Sequence, residues 1–261
     1  MQNHKKCYQN VWILSGTADG PILADKLTKQ EYTVFVSVIS YKASNAYPSS
    51  SKLHIFTGKL KNEKEIQKFI LDNQIKYIID ATHPFAINIS KYLICATKSI
   101  DIPIFTYRRI YENKSNVEII SDFKDINSEE IKNKNILLAI GSRKLDEIAK
   151  FYIDLGANVF ARIIATPESI SNGFSSCLDN SKIAILNPSE YKKDNLESYL
   201  CKYWSIDYIF CRDSGGYSQK IWDEVCSQSD IKLFLLKRPQ IKDSDFVFSK
   251  YDDLINKMIY F

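Results

Sequence analysis

Long apolar runs, paired cysteines and glycine are all scarce in this chain of 261 residues, and each scarcity closes off a class of protein. Stretches such as Tyr77–Ile79 and Ile136–Ile140 fall far short of the roughly 18 apolar residues that cross a bilayer, so no membrane helix is expected. Met1–Asn10 is polar and lacks the apolar core of a signal peptide, which makes a soluble, cytoplasmic setting the expectation. The six cysteines, Cys7, Cys95, Cys177, Cys201, Cys211 and Cys226, form no C-x-x-C pair and no Cys/His ligand spacing. A metal site and a disulfide framework are therefore not expected, and most of the thiols read as small buried hydrophobes. An excess of one charge is lacking as well: 35 Lys+Arg against 31 Asp+Glu leave a formal net charge of +4. The densest basic run, Lys59–Lys68, is interrupted by Glu63 and Glu65 and reads as a solvated helix face, so no nucleic-acid partner is expected. With only eight glycines, the clusters at Gly16/Gly20 and Gly215/Gly216 stand out.

What is present is a hydrophobic content of 45%, enough for a core in one or two domains. Val11–Leu14 is a short apolar run that stops at Ser15-Gly16-Thr17, after which Ile22, Leu23, Lys26 and Leu27 fall at helical spacing. Strand-like segments follow at Thr33–Ile39, Leu53–Thr57, Tyr77–Asp80 and Ile102–Thr106, with helices predicted around Ile66–Ile70 and from Pro84 to about Ser99. Strands alternating with helices mean a parallel sheet covered on both faces. The pattern restarts with strands at Val117–Ile120, Ile136–Ile140, Val159–Ile163, Ile183–Leu186, Tyr208–Cys211 and Lys232–Leu236. The polar stretch Tyr111–Asn116 is the expected linker, giving an α/β chain of two Rossmann-like domains, residues 1–112 and 113–261.

Three turns could carry chemistry. Ser15-Gly16-Thr17-Ala18-Asp19-Gly20 lies between the first strand and helix, where backbone N–H groups can cradle a phosphate; it also reads as a plain tight turn. After the second strand, where an acid usually holds a ribose hydroxyl, stand Ser40-Tyr41-Lys42. A hydroxyl and a cation there suit a 2′-phosphate and favour NADPH over NADH, while the alternative is an ordinary surface lysine. Asp80-Ala81-Thr82-His83-Pro84-Phe85-Ala86 occupies the next strand-to-helix turn. It reads either as a ligand edge or as a helix start, with Pro84 first in the helix, Thr82 or His83 as cap and Asp80 accepting N–H bonds. Of three histidines only His83 sits in such a motif, which makes it the candidate acid or hydrogen-bond donor. Arg212-Asp213-Ser214-Gly215-Gly216 with Lys220, Gly141-Ser142-Arg143, Arg162 and Arg238 place cations at or near other strand ends, suited to a polyanionic substrate.

These residues resemble the precorrin-6A reductases, including the cobalt-precorrin-6A reductases. The matching segments are VWILSGTADGPILADKL (11–27), TGKL (57–60), DATHPFAINIS (80–90), IPIFTYRR (102–109), AIGSRKL (139–145), ARIIATPES (161–169), CRDSGGYSQK (211–220) and LLKRP (235–239). The resemblance implies an NADPH-dependent enzyme of cobalamin biosynthesis that reduces one ring double bond of a tetrapyrrole, converting precorrin-6A to precorrin-6B, with its active site in the cleft between two domains. The residues expected toward the cofactor are Gly16, Thr17, Asp19, Gly20, Ser40, Lys42 and Thr82, with His83 the catalytic candidate. Arg109, Arg143, Arg162, Arg212, Asp213, Ser214, Gly215 and Lys220 fall toward the substrate. Other enzymes of the same pathway are candidate partners. The chain departs from the family pattern at Ser15, where glycine is common; at Asp19, for glutamate; at Pro21, for arginine; at Asn187-Pro188-Ser189; and at Arg212, for lysine.

Two other readings predict different things. A short-chain dehydrogenase needs Tyr-x-x-x-Lys, and none of the sixteen tyrosines has a lysine four residues on. A non-catalytic dinucleotide sensor would bind cofactor without turnover, and it gives no reason for a second α/β unit bearing Asp213–Gly216.

Overall fold

The first strand shows how the sheet is built. β1 (Asn10–Ser15) is buried from Val11 onward, with Val11 and Ile13 in one apolar cluster and Trp12 and Leu14 in another. Successive side chains of a strand point to opposite faces, so a strand apolar at every position must be covered on both. The computed structural model describes residues 9–98, 100–110, 112, 116–187, 196–239 and 246–261. Cys7, His4, most of the expected Tyr111–Asn116 linker, and Pro188 and Ser189 lie outside those residues.

In the first unit, β1 is followed by α1 (Asp19–Lys29), β2 (Thr33–Val38), the short α2 (Tyr41–Ser44), β3 (Leu53–Thr57) and α3 (Glu63–Asp72). Then come β4 (Ile75–Ala81), α4 (Ile87–Thr97) and β5 (Ile104–Tyr107). In the second unit, β6 (Val117–Ile120) and α5 (Ser128–Ile131) precede β7 (Asn135–Ala139), α6 (Leu145–Asp154), β8 (Asn158–Ile163) and α7 (Pro167–Phe174). They are followed by β9 (Ile183–Ile185), α8 (Leu196–Tyr203), β10 (Tyr208–Arg212), α9 (Tyr217–Ser227) and β11 (Lys232–Leu236). The chain closes with β12 (Phe246–Phe248) and α10 (Tyr251–Ile259).

Two six-stranded sheets result, in the orders β12-β5-β4-β1-β2-β3 and β6-β11-β10-β7-β8-β9, and every strand pair is parallel. This is the expected α/β class, with helices on both faces. In the first sheet, α1 and α10 supply Leu23, Leu27, Leu254 and Met258 to one face, and α3 and α4 supply Ile66, Ile70 and Leu93 to the other. Each such fully buried side chain contributes about 1.5–3 kcal/mol relative to exposure. The second sheet is covered by Leu145, Ile148 and Tyr152 of α6 on one face and by Cys201 of α8 and Trp222 of α9 on the other.

The strand orders reverse direction between β1 and β4 and again between β7 and β10. In an open parallel sheet a ligand crevice forms at the carboxyl ends of such a pair, because the two following loops diverge to opposite faces. Each unit therefore has its own switch point, and the expected motifs lie on them.

The expected boundary at 112/113 needs one correction. The chain divides into Met1–Ile110 with Pro239–Phe261 and, separately, Tyr111–Arg238. The final segment returns because Phe246–Phe248 pairs with Phe105–Tyr107, and because Leu254, Ile255 and Met258 of α10 are buried with Val11 and Ile13. One helix start also shifts: α4 begins at Ile87 with Ala86 as its cap, so Pro84 lies in a turn before the helix and is not its first residue. Among the described residues no helix is long and apolar enough to cross a membrane, and no metal-holding cluster of His, Cys, Asp or Glu occurs.

Candidate functional site

At the first switch point, the turns after β1 and β4 are tied together by the Thr17 hydroxyl. Thr17 Oγ1 lies 2.8 Å from Asp19 Oδ2 and 3.3 Å from the Ala81 carbonyl oxygen. Asp19, the first residue of α1, is buried and turned inward. Its carboxylate accepts from Arg109 on both oxygens, at 3.1 Å from Nε and 2.8 Å from Nη2, and from the Tyr251 hydroxyl at 2.7 Å. Tyr251 stacks on Tyr107 with ring centroids 4.6 Å apart, and burial together with the neighbouring carboxylate holds its phenol well above the ordinary range.

The β4 turn carries a second buried acid. Asp80 Oδ1 accepts from the Thr82 amide at 3.0 Å and the Thr82 hydroxyl at 2.6 Å. Asp80 Oδ2 accepts from the Ser90 hydroxyl at 2.7 Å and from Arg108 Nη2 at 3.1 Å. A carboxylate this deep is tolerable only with such partners, since an unpaired buried charge is strongly destabilising. His83 follows, half-buried, with Nδ1 accepting the Phe85 amide at 3.2 Å, which leaves the proton of the neutral ring on Nε2.

Dinucleotide phosphates usually meet the first amides of a helix. Here the Asp19 amide donates to Thr17 Oγ1 at 3.3 Å, the Gly20 amide to the Thr17 carbonyl at 3.4 Å, and Pro21 has no N–H. Gly20 is needed for packing, because a Cβ there would overlap Ser15 Oγ and the Tyr47 hydroxyl. Gly16 is different: it is exposed, and a Cβ at its position would meet nothing within 4 Å. Beyond β2, Ser40 caps α2 by accepting the Ala43 amide at 3.3 Å, and Lys42 is exposed. The Thr17 amide and hydroxyl are also engaged, with Ser15 Oγ at 3.4 Å and Asp19 Oδ2 at 2.8 Å, so the groups near this turn that could meet a phosphorylated dinucleotide are those of exposed Gly16 with the Ser40 hydroxyl and the Lys42 ammonium, more than the helix amides.

At the second switch point Gly141 adopts a positive φ of 81°, and a Cβ on it would come within 2.8 Å of Arg212 Nη2. The Arg212 guanidinium therefore lies across the turn after β7, and burial lowers its pKa from the ordinary arginine value. Arg143 is exposed and paired with Glu168 at 3.0 Å. Asp213 is held by Arg238, with Nε 2.9 Å from Oδ2 and Nη2 3.0 Å from Oδ1. In the turn before α9, Gln219 Oε1 accepts the amides of Ser214 at 2.7 Å and Gly215 at 2.6 Å, and Ser214 Oγ accepts that of Gly216 at 3.2 Å. Lys220 is exposed one residue on.

Arg162 stands apart from these. It is buried on β8 with Glu197 3.9 Å away, and its Nε has no hydrogen-bond partner among the described residues. Burial lowers its pKa, and the Glu197 carboxylate opposes that. Arg162 thus lies among core residues and not on the exposed strand edge where a cation for a polyanion was expected.

The structure links Thr17, Asp19 and Arg109 in the first unit, with Thr82 bonded instead to Asp80, and brings Gly141, Arg143 and Arg212 together in the second. Arg109, expected on the substrate side, is engaged with Asp19. Sequence reasoning passed over Arg108, Ser90, Gln219 and Tyr251. The first three stand inside motifs already quoted, TYRR, DATHPFAINIS and CRDSGGYSQK, whereas Tyr251 has no local signal.

Comparison with known proteins places the chain. The family model described as "Precorrin-6x reductase CbiJ/CobK" matches residues 10–258. A cobalt-precorrin-6A reductase of Synechocystis sp. is 27% identical over 237 residues, covering 88% of each chain. Another from Methanocaldococcus jannaschii is 26% identical over 255 residues, covering 94% of this chain and 96% of its own. A solved structure titled "CobK precorrin-6A reductase" superposes with a TM-score of 0.76 over 97% of this chain and 96% of its own, at 15% identity, which supports the fold.

Proposed function

We propose, taking as premise that this chain belongs to the precorrin-6x reductase CbiJ/CobK family, that it reduces one ring C=C bond of precorrin-6A or its cobalt form at the expense of NADPH. The observation that carries the reading is the family match over residues 10–258, joined to chemistry-bearing turns at both switch points. The cofactor, when bound, supplies the hydride. Reduction of the double bond would take that hydride at one carbon and a proton at the other, so that the macrocycle would gain two hydrogens and NADPH would become NADP⁺.

The chain's own residues bind, orient and protonate. The turn at Gly16 and Thr17 would hold the phosphates, and Lys42 and Ser40 would meet the 2′-phosphate beyond β2. Asp19 and Thr82 contribute through the shape of their turns, their side chains being bonded within the protein. Gly20 keeps α1 close beneath that turn. In the second unit Arg212, Arg143, Ser214 and Lys220 face the acetate and propionate groups of the tetrapyrrole, with Asp213 and Gly215 shaping the turn that presents them. His83, its ring oriented by the Phe85 amide, is the hydrogen-bond donor or acid that faces the substrate through Nε2.

Purified protein given precorrin-6A or cobalt-precorrin-6A should oxidise NADPH with a matching change in the macrocycle's absorbance. No NADPH oxidation with either substrate would overturn the assignment. Turnover unchanged in His83→Ala would remove the imidazole from the chemistry and leave the rest intact.

A further inference from the structure

Gln219 is fully buried at 0% exposure, yet its Nε2 has no hydrogen-bond partner among the described residues. Burying an unpaired donor is destabilising, so the residue must serve through its other end. That end is Oε1, which accepts the amides of Ser214 at 2.7 Å and Gly215 at 2.6 Å. Gly215 sits at a positive φ of 63°, a conformation that costs glycine little, and the next amide, of Gly216, is taken by Ser214 Oγ at 3.2 Å. Asp213, at the head of the turn, is fixed by Arg238 on both carboxylate oxygens.

Three consecutive amides of a glycine-rich turn before a helix are thereby engaged by side chains of the protein itself. Such a turn ordinarily offers those amides to an anion. Here it offers side chains: the Ser214 hydroxyl, whose oxygen already accepts from Gly216 and whose proton is left to point elsewhere, and the Arg212 guanidinium laid across Gly141.

From this arrangement we infer that Gln219 is a positioning residue, holding the Asp213–Gly216 turn preformed so that substrate carboxylates are recognised by the Arg212 and Ser214 side chains and not by backbone amides. The inference rests on the reductase reading for its ligand. The two modes of recognition make opposite predictions for Gln219→Met, which keeps the side-chain length and removes the acceptor. If amides bound the carboxylates, freeing two of them would preserve or tighten tetrapyrrole binding. If side chains bind, the loosened turn weakens it.

The test combines amide hydrogen exchange at Ser214 and Gly215 with spectroscopic titration of precorrin-6A and steady-state kinetics, in wild type, Gln219→Met and Gln219→Glu. In Gln219→Met both amides should exchange on the order of 100-fold faster while those of Ile209 and Phe210 in β10 stay protected, showing that the sheet is intact. The tetrapyrrole Kd and KM should rise about tenfold with the NADPH KM unchanged, which places the loss in one ligand's binding. Gln219→Glu, which retains an acceptor, should recover slow exchange and most of the affinity. Fast exchange in Gln219→Met with unchanged or tighter tetrapyrrole binding would overturn the inference, as would equal loss for both ligands. Wild-type protein that binds the tetrapyrrole without reducing it would overturn the reductase reading, and the exchange and titration would still decide Gln219.

Discussion

The two switch points share a strand order and use their charges in opposite ways. At the first, two buried acids are the fixed points: Asp19 takes Arg109 and the Tyr251 hydroxyl, and Asp80 takes Arg108, Thr82 and Ser90. At the second, the acid is a minor partner, Asp213 being held by Arg238, and the turns are shaped around Arg212 and the neutral Gln219. One site fastens its turns with internal ion pairs and exposes a lysine and an open glycine. The other adds to its one ion pair, Asp213–Arg238, the neutral amide of Gln219, and directs cationic side chains to the strand edge. The difference teaches that charge at a sheet edge says little about ligands until its internal partners are known.

The comparison can be broken first at the acids. Asp80→Ala would leave the Arg108 guanidinium, with 14% of its side chain exposed, without its carboxylate; about 3–5 kcal/mol of stability should be lost. The loss should appear as faster hydrogen exchange through β4 and β1. Asp213→Ala, at a less buried pair, should cost only about 1–2 kcal/mol and be confined to β10 and β11. Equal losses would abolish the contrast. Tyr251→Phe removes the hydroxyl that bonds the Asp19 carboxylate and should cost about 1.5 kcal/mol, read as a lower urea midpoint at constant slope. It should also raise the NADPH KM, because the Asp19 turn loosens, and leave the tetrapyrrole KM alone.

Smaller effects sharpen the assignment of ligands. Lys42→Ala should raise the NADPH KM about tenfold, equivalent to about 1.4 kcal/mol, with little change for NADH. Equal effects on both cofactors would remove the 2′-phosphate contact. Smallest of all, Arg143→Ala breaks an ion pair whose side chains are 79% and 62% exposed, so stability should move by less than about 0.5 kcal/mol. Any rise in tetrapyrrole KM from that change would then report on binding and not on folding.

Much of the fold was legible in the sequence because it is locally encoded. Apolar runs such as Val11–Leu14 and Ile136–Leu138 can only be strands covered on both faces, and their alternation with helices dictates a parallel sheet. The return of Pro239–Phe261 to the first unit was not legible. β12 has three residues and pairs with a strand far back in the chain, so its only evidence is tertiary. The site was legible by position and less so by role. Turns at Gly16, Thr82 and Arg212 were located, but a motif does not say which side chains spend themselves on one another. Arg109 and Arg162 looked like ligands for an anion; the carboxylates beside them, Asp19 and Glu197, are distant in sequence. Tyr251 was unreadable because its partner lies at the other end of the chain.

The central claim is hydride delivery from NADPH to a tetrapyrrole double bond, and isotopic transfer tests it directly. With NADPH deuterated at the transferring C4 position and precorrin-6A or its cobalt form as acceptor, mass spectrometry should find one deuterium in the reduced macrocycle and NADP⁺ formed in equal amount. Oxidation of the labelled cofactor with no deuterium in the macrocycle under either stereochemical label, or no reduction of either substrate, would contradict it.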